Sequence, residues 1–184
     1  NNVETNPYTF TLTGALTIST VYVTKTYTVS FVTNSADTIP EQTINHGELA
    51  TKPSDPNKDY YDFDDWYVGN SKYDFTTPVT SDVQLNALYT PTEYTITYVL
   101  NNGELETGVT NPDTYTVESN DITLNNPSKD GYTFDGWTLG NSETKVLEVT
   151  IPTGSNGNRT YTAQYTENGP LSIICKKATT LNSE

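Results

Sequence analysis

Residues 127–142 read Pro127-Ser-Lys-Asp-Gly-Tyr-Thr-Phe-Asp-Gly-Trp137-Thr-Leu-Gly-Asn-Ser142, and they repeat an earlier stretch of the same chain. Residues 56–71 read Pro56-Asn-Lys-Asp-Tyr-Tyr-Asp-Phe-Asp-Asp-Trp66-Tyr-Val-Gly-Asn-Ser71, and the two stretches align without a gap at an offset of 71 residues. A repeat of this length usually marks a structural unit that is copied in tandem. The duplication therefore favours a structural or adhesive part over an enzyme.

Composition narrows the possible partners. The 184 residues include 23 acidic and 9 basic side chains, which gives a formal net charge of −14, and Arg159 is the only arginine. Such a chain repels phosphate backbones and anionic lipid, so we expect no nucleic-acid partner. The single cysteine, Cys175, excludes an internal disulfide and a cysteine-rich zinc site. The longest apolar run near the end, residues 171–175, is too short to insert into a membrane.

Alternating apolar and polar residues predict strands at residues 8–12, 27–31, 94–98 and 161–165. Each run places its apolar side chains on one face and Thr, Ser or Gln on the other, as a half-buried sheet requires. Helical periodicity is nearly absent. The only helix candidates are short turns in the two Pro-x-Lys-Asp segments and around residues 75–78. The sequence therefore predicts a mainly β fold.

Extending the repeat outward from its centre divides the chain into four segments. Residues 1–24 match the C-terminal part of a truncated preceding repeat, 25–92 form repeat A, 93–167 form repeat B, and 168–184 are a tail or the start of a further unit. Repeat B is expected to carry an insertion over residues 142–158 that ends in a glycine-rich loop. Because the joints are too short to be free linkers, we expect a semi-rigid array.

Three motifs together suggest a family. The GYTFDGW stretch at residues 131–137, with YTITY at residues 94–98 and YTAQY at residues 161–165, resembles the Listeria-Bacteroides surface repeat, also called the internalin-type B repeat. The resemblance implies small β-grasp, ubiquitin-like units in tandem on secreted or wall-anchored bacterial proteins, with roles in adhesion and display. It supplies no catalytic residue. Periodicity alone does not separate a β-grasp unit from a small Ig-like β-sandwich, so the sandwich stays as the alternative.

Repeat A departs from this motif at two positions. Tyr60 and Asp65 stand where repeat B has Gly131 and Gly136. If those positions require a positive φ, which glycine adopts without strain, repeat A is expected to use another backbone solution there.

The duplicated aromatic residues have two interpretations. They could form a platform for a sugar or a peptide, or they could form the core of each unit. A unit this small needs its tryptophan buried, and packing demands the same register in every copy, so we favour the core. The set comprises Tyr61, Phe63 and Trp66 in repeat A and Tyr132, Phe134 and Trp137 in repeat B.

An acidic set in repeat A could bind calcium, which prefers several hard oxygen ligands. Its spacing does not match an EF-hand loop, and only two members recur in repeat B, as Asp130 and Asp135. A solvated strand face is the better interpretation, and we expect no cofactor and no metal. The set comprises Asp55, Asp59, Asp62, Asp64 and Asp65.

Catalytic groups are scarce. His46 is the only histidine and precedes Gly47 in what reads as a hairpin turn, with no nucleophile motif around it. We therefore expect no enzyme. A self-formed Lys-to-Asn isopeptide bond ranks low, because the repeated lysines, Lys58 and Lys129, lie in turns that we expect to be exposed.

These observations favour a non-enzymatic, extracellular repeat segment of a bacterial cell-surface or secreted protein. It would act as a spacer or stalk in adhesion or display, with neighbouring repeats as its partners, at the cell surface or wall. Two alternatives remain open. The repeats could themselves bind a host or matrix protein or a glycan, through a sheet edge or the insertion. The segment could also be an accessory module of a larger secreted polysaccharide-active enzyme.

Overall fold

The structure is a computed structural model that describes residues 13–15, 17 and 19–169. These residues contain eleven strands and no helix, which confirms the mainly β prediction. The strand predicted at residues 8–12 lies outside the described residues. The candidate helical turns do not form helices, because single backbone bonds close plain turns there: Tyr61 N donates to Lys58 O, and Thr77 N donates to Asp74 O. Within the described part of the chain, no helix has the length and apolarity to span a bilayer.

Repeat A is built on one mixed sheet with the strand order β2-β1-β5-β3-β4. Strands β1 and β5 run parallel at its centre, and every other neighbouring pair is antiparallel. Repeat A is thus organised around a single mixed sheet with a parallel pair at its centre. The strands are β1 (Thr26–Val32), β2 (Gln42–Asn45), β3 (Tyr61–Val68), β4 (Ser71–Lys72) and β5 (Val83–Pro91).

Repeat B reproduces the centre of that sheet in the order β7-β6-β11-β9, again with a parallel pair, β6 and β11. Its β8 and β10 form a separate two-stranded antiparallel pair. In place of β4, the single residue Val146 bridges Trp137 at the free edge of β9. The strands are β6 (Tyr94–Val99), β7 (Thr114–Tyr115), β8 (Ile122–Thr123), β9 (Tyr132–Leu139), β10 (Thr150–Ile151) and β11 (Arg159–Glu167).

Each repeat has its own hydrophobic core around its tryptophan. Trp66 is fully buried, Trp137 is 1% exposed, and no buried residue belongs to both clusters. No strand of one repeat pairs with a strand of the other among the described residues. The core of repeat A contains Val29, Ala50, Trp66, Val79, Leu85 and Ala87, and that of repeat B contains Ile96, Tyr115, Leu124, Trp137, Val149, Ile151, Tyr161 and Ala163.

The expected insertion in repeat B is smaller and better ordered than the sequence indicated. Trp66 and Trp137 are equivalent at an offset of 71 residues, and their cross-strand partners Ala87 and Ala163 at an offset of 76, so repeat B gains five residues between these points. Most of residues 142–158 are therefore shared scaffold. They include strand β10, whose Ile151 is 1% exposed and packs in the core.

Candidate functional site

The duplicated tryptophan strands, β3 and β9, are core elements. Phe63 meets Trp66 edge-on at a centroid distance of 5.7 Å, and Phe134 meets Trp137 in the same way at 5.6 Å. With both indoles buried, these rings cannot present a flat face to a sugar. Tyr61 and Tyr132 are the exceptions, because neither belongs to a hydrophobic core.

The two indoles differ in how their N–H groups are satisfied. Trp137 Nε1 donates to Asn126 Oδ1 at 2.9 Å. Trp66 Nε1 is buried and has no acceptor among the described residues. The residue at the position of Asn126 in repeat A is Asp55, whose side chain is exposed. A carboxylate loses more hydration than an amide when it moves against a buried ring, which explains why Asp55 stays in solvent.

The turn before each tryptophan strand is the same in both repeats, contrary to the expectation for Tyr60. Tyr60 has a φ of 66° and Gly131 has a φ of 79°, and the turn is closed in both by a bond to the lysine carbonyl. Repeat A therefore keeps the left-handed backbone and places a tyrosine in it. Left-handed φ values are costly for residues other than glycine.

At the second glycine position, Gly136 in repeat B and Asp65 in repeat A, the two repeats satisfy the following tryptophan amide in different ways. Both strands contain a β-bulge at the residue just before it, Asp64 or Asp135. In repeat B, Trp137 N donates to Val146 O at 2.9 Å, and a Cβ on Gly136 would lie 2.9 Å from the Val146 backbone.

In repeat A, the Asp65 carboxylate takes the place of that backbone carbonyl. Trp66 N donates to Asp65 Oδ1 at 2.9 Å. Lys72 Nζ lies 2.7 Å from Asp65 Oδ2 and Lys52 Nζ lies 3.1 Å from Oδ1. Burial acts to raise the pKa of Asp65, but the bonds from Lys72, the Trp66 amide and Lys52 outweigh it and hold this pKa at about 2. Asp65 is thus an ionised, structural carboxylate.

The acidic set does not assemble into a metal centre. Among the described residues, no three His, Cys, Asp or Glu side chains come together in a way that could hold a metal ion. Asp65 is occupied by its two lysines, and Asp64 Oδ2 accepts a bond from the Tyr67 hydroxyl at 2.6 Å. In repeat B, Asp135 accepts from Thr166 Oγ1 and from Lys145 Nζ, which lowers its pKa.

His46 lies in the turn after β2, as the sequence indicated, with its ring 5.8 Å from that of Tyr27. The hydrogen bonds of the described residues give it no serine or carboxylate partner of the kind that a catalytic triad needs. Lys58 and Lys129 do lie in turns, but they are half-buried, and each ammonium group lies over a tyrosine ring.

A concave feature that contains the Arg159 side chain lies on repeat B, beside the segment that differs from repeat A. It is a cavity of about 320 Å³. Arg159 Nε donates to the Tyr115 hydroxyl at 2.9 Å, and no carboxylate of the described residues pairs with its guanidinium. The sequence had marked Arg159 only as the single arginine. The cavity is lined by Trp137, Leu139, Ser142, Thr144, Val146, Glu148, Val149, Thr150, Arg159 and Tyr161.

Two similar units, each with its own sheet and core, define a tandem-repeat segment. The Listeria-Bacteroides repeat domain matches residues 27–88 and 94–173, and the chain belongs to this family. The resemblance read from the GYTFDGW motif is thereby confirmed.

Relatives agree with this class. The chain is 33% identical to Internalin H of Listeria monocytogenes over 171 residues, which cover 89% of the chain and 28% of that protein. It is 30% identical to a putative membrane protein of Evansella cellulosilytica over 139 residues, which cover 69% of the chain and 19% of that protein. The chain thus spans less than a third of the length of either relative.

A solved structure of Streptococcal High Identity Repeats in Tandem (SHIRT) domains 3-4 from a cell surface protein is also similar. It covers 77% of this chain and 99% of its own, at 15% identity and a TM-score of 0.24. At that score the likeness adds nothing to the fold described above.

Proposed function

We propose that this segment is a non-enzymatic extracellular spacer in a bacterial surface protein, which holds another part of that protein away from the cell. The observation that carries the proposal is that the duplicated residues stabilise the fold of each repeat. Pro56 and Pro127 are buried, both tryptophans form cores, and Lys58 and Lys129 lie over tyrosine rings. Residues that are copied for the stability of each unit are what a module repeated for length requires.

The unit boundaries are part of this proposal. Repeat A takes residues 25–92 and repeat B takes residues 93–167, because the sheets occupy 26–91 and 94–167 and each has its own core. The net charge of −14 further supports a soluble segment that resists self-association in a crowded envelope.

The experiment that tests the spacer function changes its length in the intact parent protein on living cells. Deleting residues 93–168 joins Thr92 to Gly169 at equivalent points, because Thr92 N and Asn168 N make the same bond in their repeats. We expect normal surface amounts of the parent protein but reduced access of an antibody or ligand to the part beyond the spacer.

The matched control replaces residues 93–168 with an unrelated compact domain of similar length. A spacer tolerates that exchange, so access returns. If access is unchanged by the deletion, or if the unrelated domain fails to restore it, the segment does not act through length.

A second candidate function is direct recognition of an anionic group by repeat B, such as the carboxylate of an acidic sugar on a host glycan. The cavity beside Arg159 favours it, since a guanidinium binds carboxylates through two parallel bonds and no carboxylate of the described residues pairs with this one. Glucuronate added to the isotope-labelled chain should shift NMR signals of the cavity residues, and glucose should not. No shift with glucuronate, or equal shifts with both sugars, would count against this candidate.

A further inference from the structure

The last strand of each repeat folds back onto the turn before its tryptophan strand. Thr92 N donates to Tyr60 O at 2.9 Å in repeat A, and Asn168 N donates to Gly131 O at 2.9 Å in repeat B. The two exits are therefore clamped at the same place, although one turn contains a tyrosine and the other a glycine.

The residue that follows Tyr60 or Gly131 in the chain is a tyrosine, Tyr61 or Tyr132, and a lysine ammonium group lies over its ring. Lys58 Nζ lies 4.0 Å from the ring centroid of Tyr61, and Lys129 Nζ lies 4.2 Å from that of Tyr132. A cation over the face of an aromatic ring holds the ring in place and leaves the hydroxyl at its edge available. Each repeat thus presents an oriented phenol at its exit.

In repeat A this phenol reaches the next unit. Tyr61 Oη donates to Glu118 Oε1 at 2.8 Å, and Glu118 lies in the turn after β7 of repeat B. The bond raises the pKa of Tyr61, as expected for a phenol that donates to a carboxylate. Only residues 92 and 93 separate β5 from β6, and Pro91 restricts the backbone at the end of β5.

We propose that Tyr61 and Glu118 form a joint lock that fixes the orientation of repeat B on repeat A. The clamp at Tyr60 sets where the chain leaves repeat A, and the bond to Glu118 sets the rotation of repeat B about that exit. Two ties at separate points remove the freedom that a two-residue link would otherwise leave.

The left-handed turn at Tyr60, which Gly131 also adopts in repeat B, positions the joint lock. The clamp on the Tyr60 carbonyl keeps the backbone left-handed and places Tyr61 opposite Glu118. Strain of this kind is retained where the surrounding structure uses the geometry. Only the biological purpose of the joint lock rests on the proposed spacer function. In a spacer, a fixed joint sets the direction in which the distal part of the protein points as well as its distance from the cell.

The test measures the relative orientation of the repeats by residual dipolar couplings in the weakly aligned, full 184-residue chain. The variant Tyr61→Phe removes only the hydroxyl and keeps the ring over Lys58. The matched control is Tyr132→Phe, the same change at the exit of repeat B, where the described residues provide no acceptor for the hydroxyl.

In the unaltered chain and in Tyr132→Phe, we expect one alignment tensor to fit both repeats. In Tyr61→Phe, loss of the bond to an ionised acceptor should weaken the closed joint about fivefold, so that the two repeats require tensors of different magnitude. Glu118→Gln should show a smaller effect in the same direction, since its amide oxygen still accepts a bond.

A single tensor in Tyr61→Phe would overturn the joint lock, as would two tensors in the unaltered chain. Either result leaves the spacer function standing, because that function is tested by length on cells. Both indole N–H signals should stay unchanged in every variant, which separates a loosened joint from an unfolded repeat.

Discussion

Replacing Gly136 with alanine is expected to destabilise repeat B strongly and to leave repeat A folded. Gly136 has a φ of 129°, and an added Cβ would lie 2.9 Å from the N, C and O atoms of Val146. Backbone atoms cannot move aside as the end of a flexible side chain can. The Val146 segment must therefore retreat, and the two bonds between Trp137 and Val146 weaken.

The magnitude follows from two costs. A non-glycine residue in this region of φ costs about 1–3 kcal/mol, and weakening two hydrogen bonds adds about 1 kcal/mol. The sum is about 3 kcal/mol, a large share of the stability of a unit of this size. For a domain of 60–100 residues, such a loss lowers Tm by about 12–24 °C.

The chain provides a reporter in each repeat, because it contains only two tryptophans, one in each core. The indole N–H signals in two-dimensional NMR should show Trp137 losing its native position at the lower temperature, with Trp66 unchanged. Gly140→Ala is the matched control: its φ is also positive, at 54°, but nothing lies within 4 Å of the added Cβ.

The control isolates backbone strain and should cost about 1 kcal/mol. If Gly136→Ala costs no more than Gly140→Ala, the close approach of Val146 is not what requires the glycine. If both indole signals shift together, the repeats do not have independent cores.

Three further outcomes follow from repeat A. Asp55→Asn should raise its stability by about 1 kcal/mol in urea unfolding, because a neutral amide can approach the unpaired Trp66 Nε1; no gain would show that this indole is satisfied otherwise. The pKa of Asp65 is lowered to about 2, so its ionised carboxylate stabilises repeat A above pH 4. This contribution to the free energy of unfolding should fall by about 2 kcal/mol as the pH is lowered from 4 to 2. Asp65→Asn should flatten this acid limb, and an unchanged limb would contradict the role of its lysines. Tyr60→Gly should raise Tm by a few degrees by relieving its positive φ, whereas a lower Tm would show that the side chain stabilises more than the strain costs.

The strands that the sequence predicted correctly are those long enough to show alternation. Strands β1, β6 and β11 contain the runs at residues 27–31, 94–98 and 161–165. Strands β8 and β10 have two residues each, too few for any periodicity to appear. The parallel pairing of β1 with β5 is a contact distant in sequence, which local patterns do not encode.

The differences between the repeats were harder to predict because each depends on a distant partner. The expectation that Tyr60 would avoid a positive φ was wrong, since the bond from Thr92 N holds its carbonyl in place. The role of Asp65 depends on lysines 13 and 7 residues away, which approach it only in the folded sheet. The insertion was overestimated: the cross-strand pairs Trp66–Ala87 and Trp137–Ala163 show that repeat B has only five extra residues between these points.

The duplicated aromatic set contains one correct and one incorrect prediction. Burial of Trp66 and Trp137 could be predicted from the size of the unit, because a small core requires its largest side chain. Tyr61 was assigned to the same core from strand alternation, but it is the first residue of β3, outside the hydrophobic cluster, and its hydroxyl bonds to Glu118. The bulge at Asp64 explains instead why Phe63 and Trp66, three residues apart, both pack in the core, which sequence alternation does not reveal.

The central claim is that two units, each with its own core, follow one another without merging. Small-angle X-ray scattering of residues 25–168 tests it most directly. Two tandem units of about 70 residues should give a radius of gyration of about 18 Å and a shoulder at long distances in the pair-distance distribution. A single symmetric peak with a radius near 14 Å, the value of one compact domain of that length, would contradict the account.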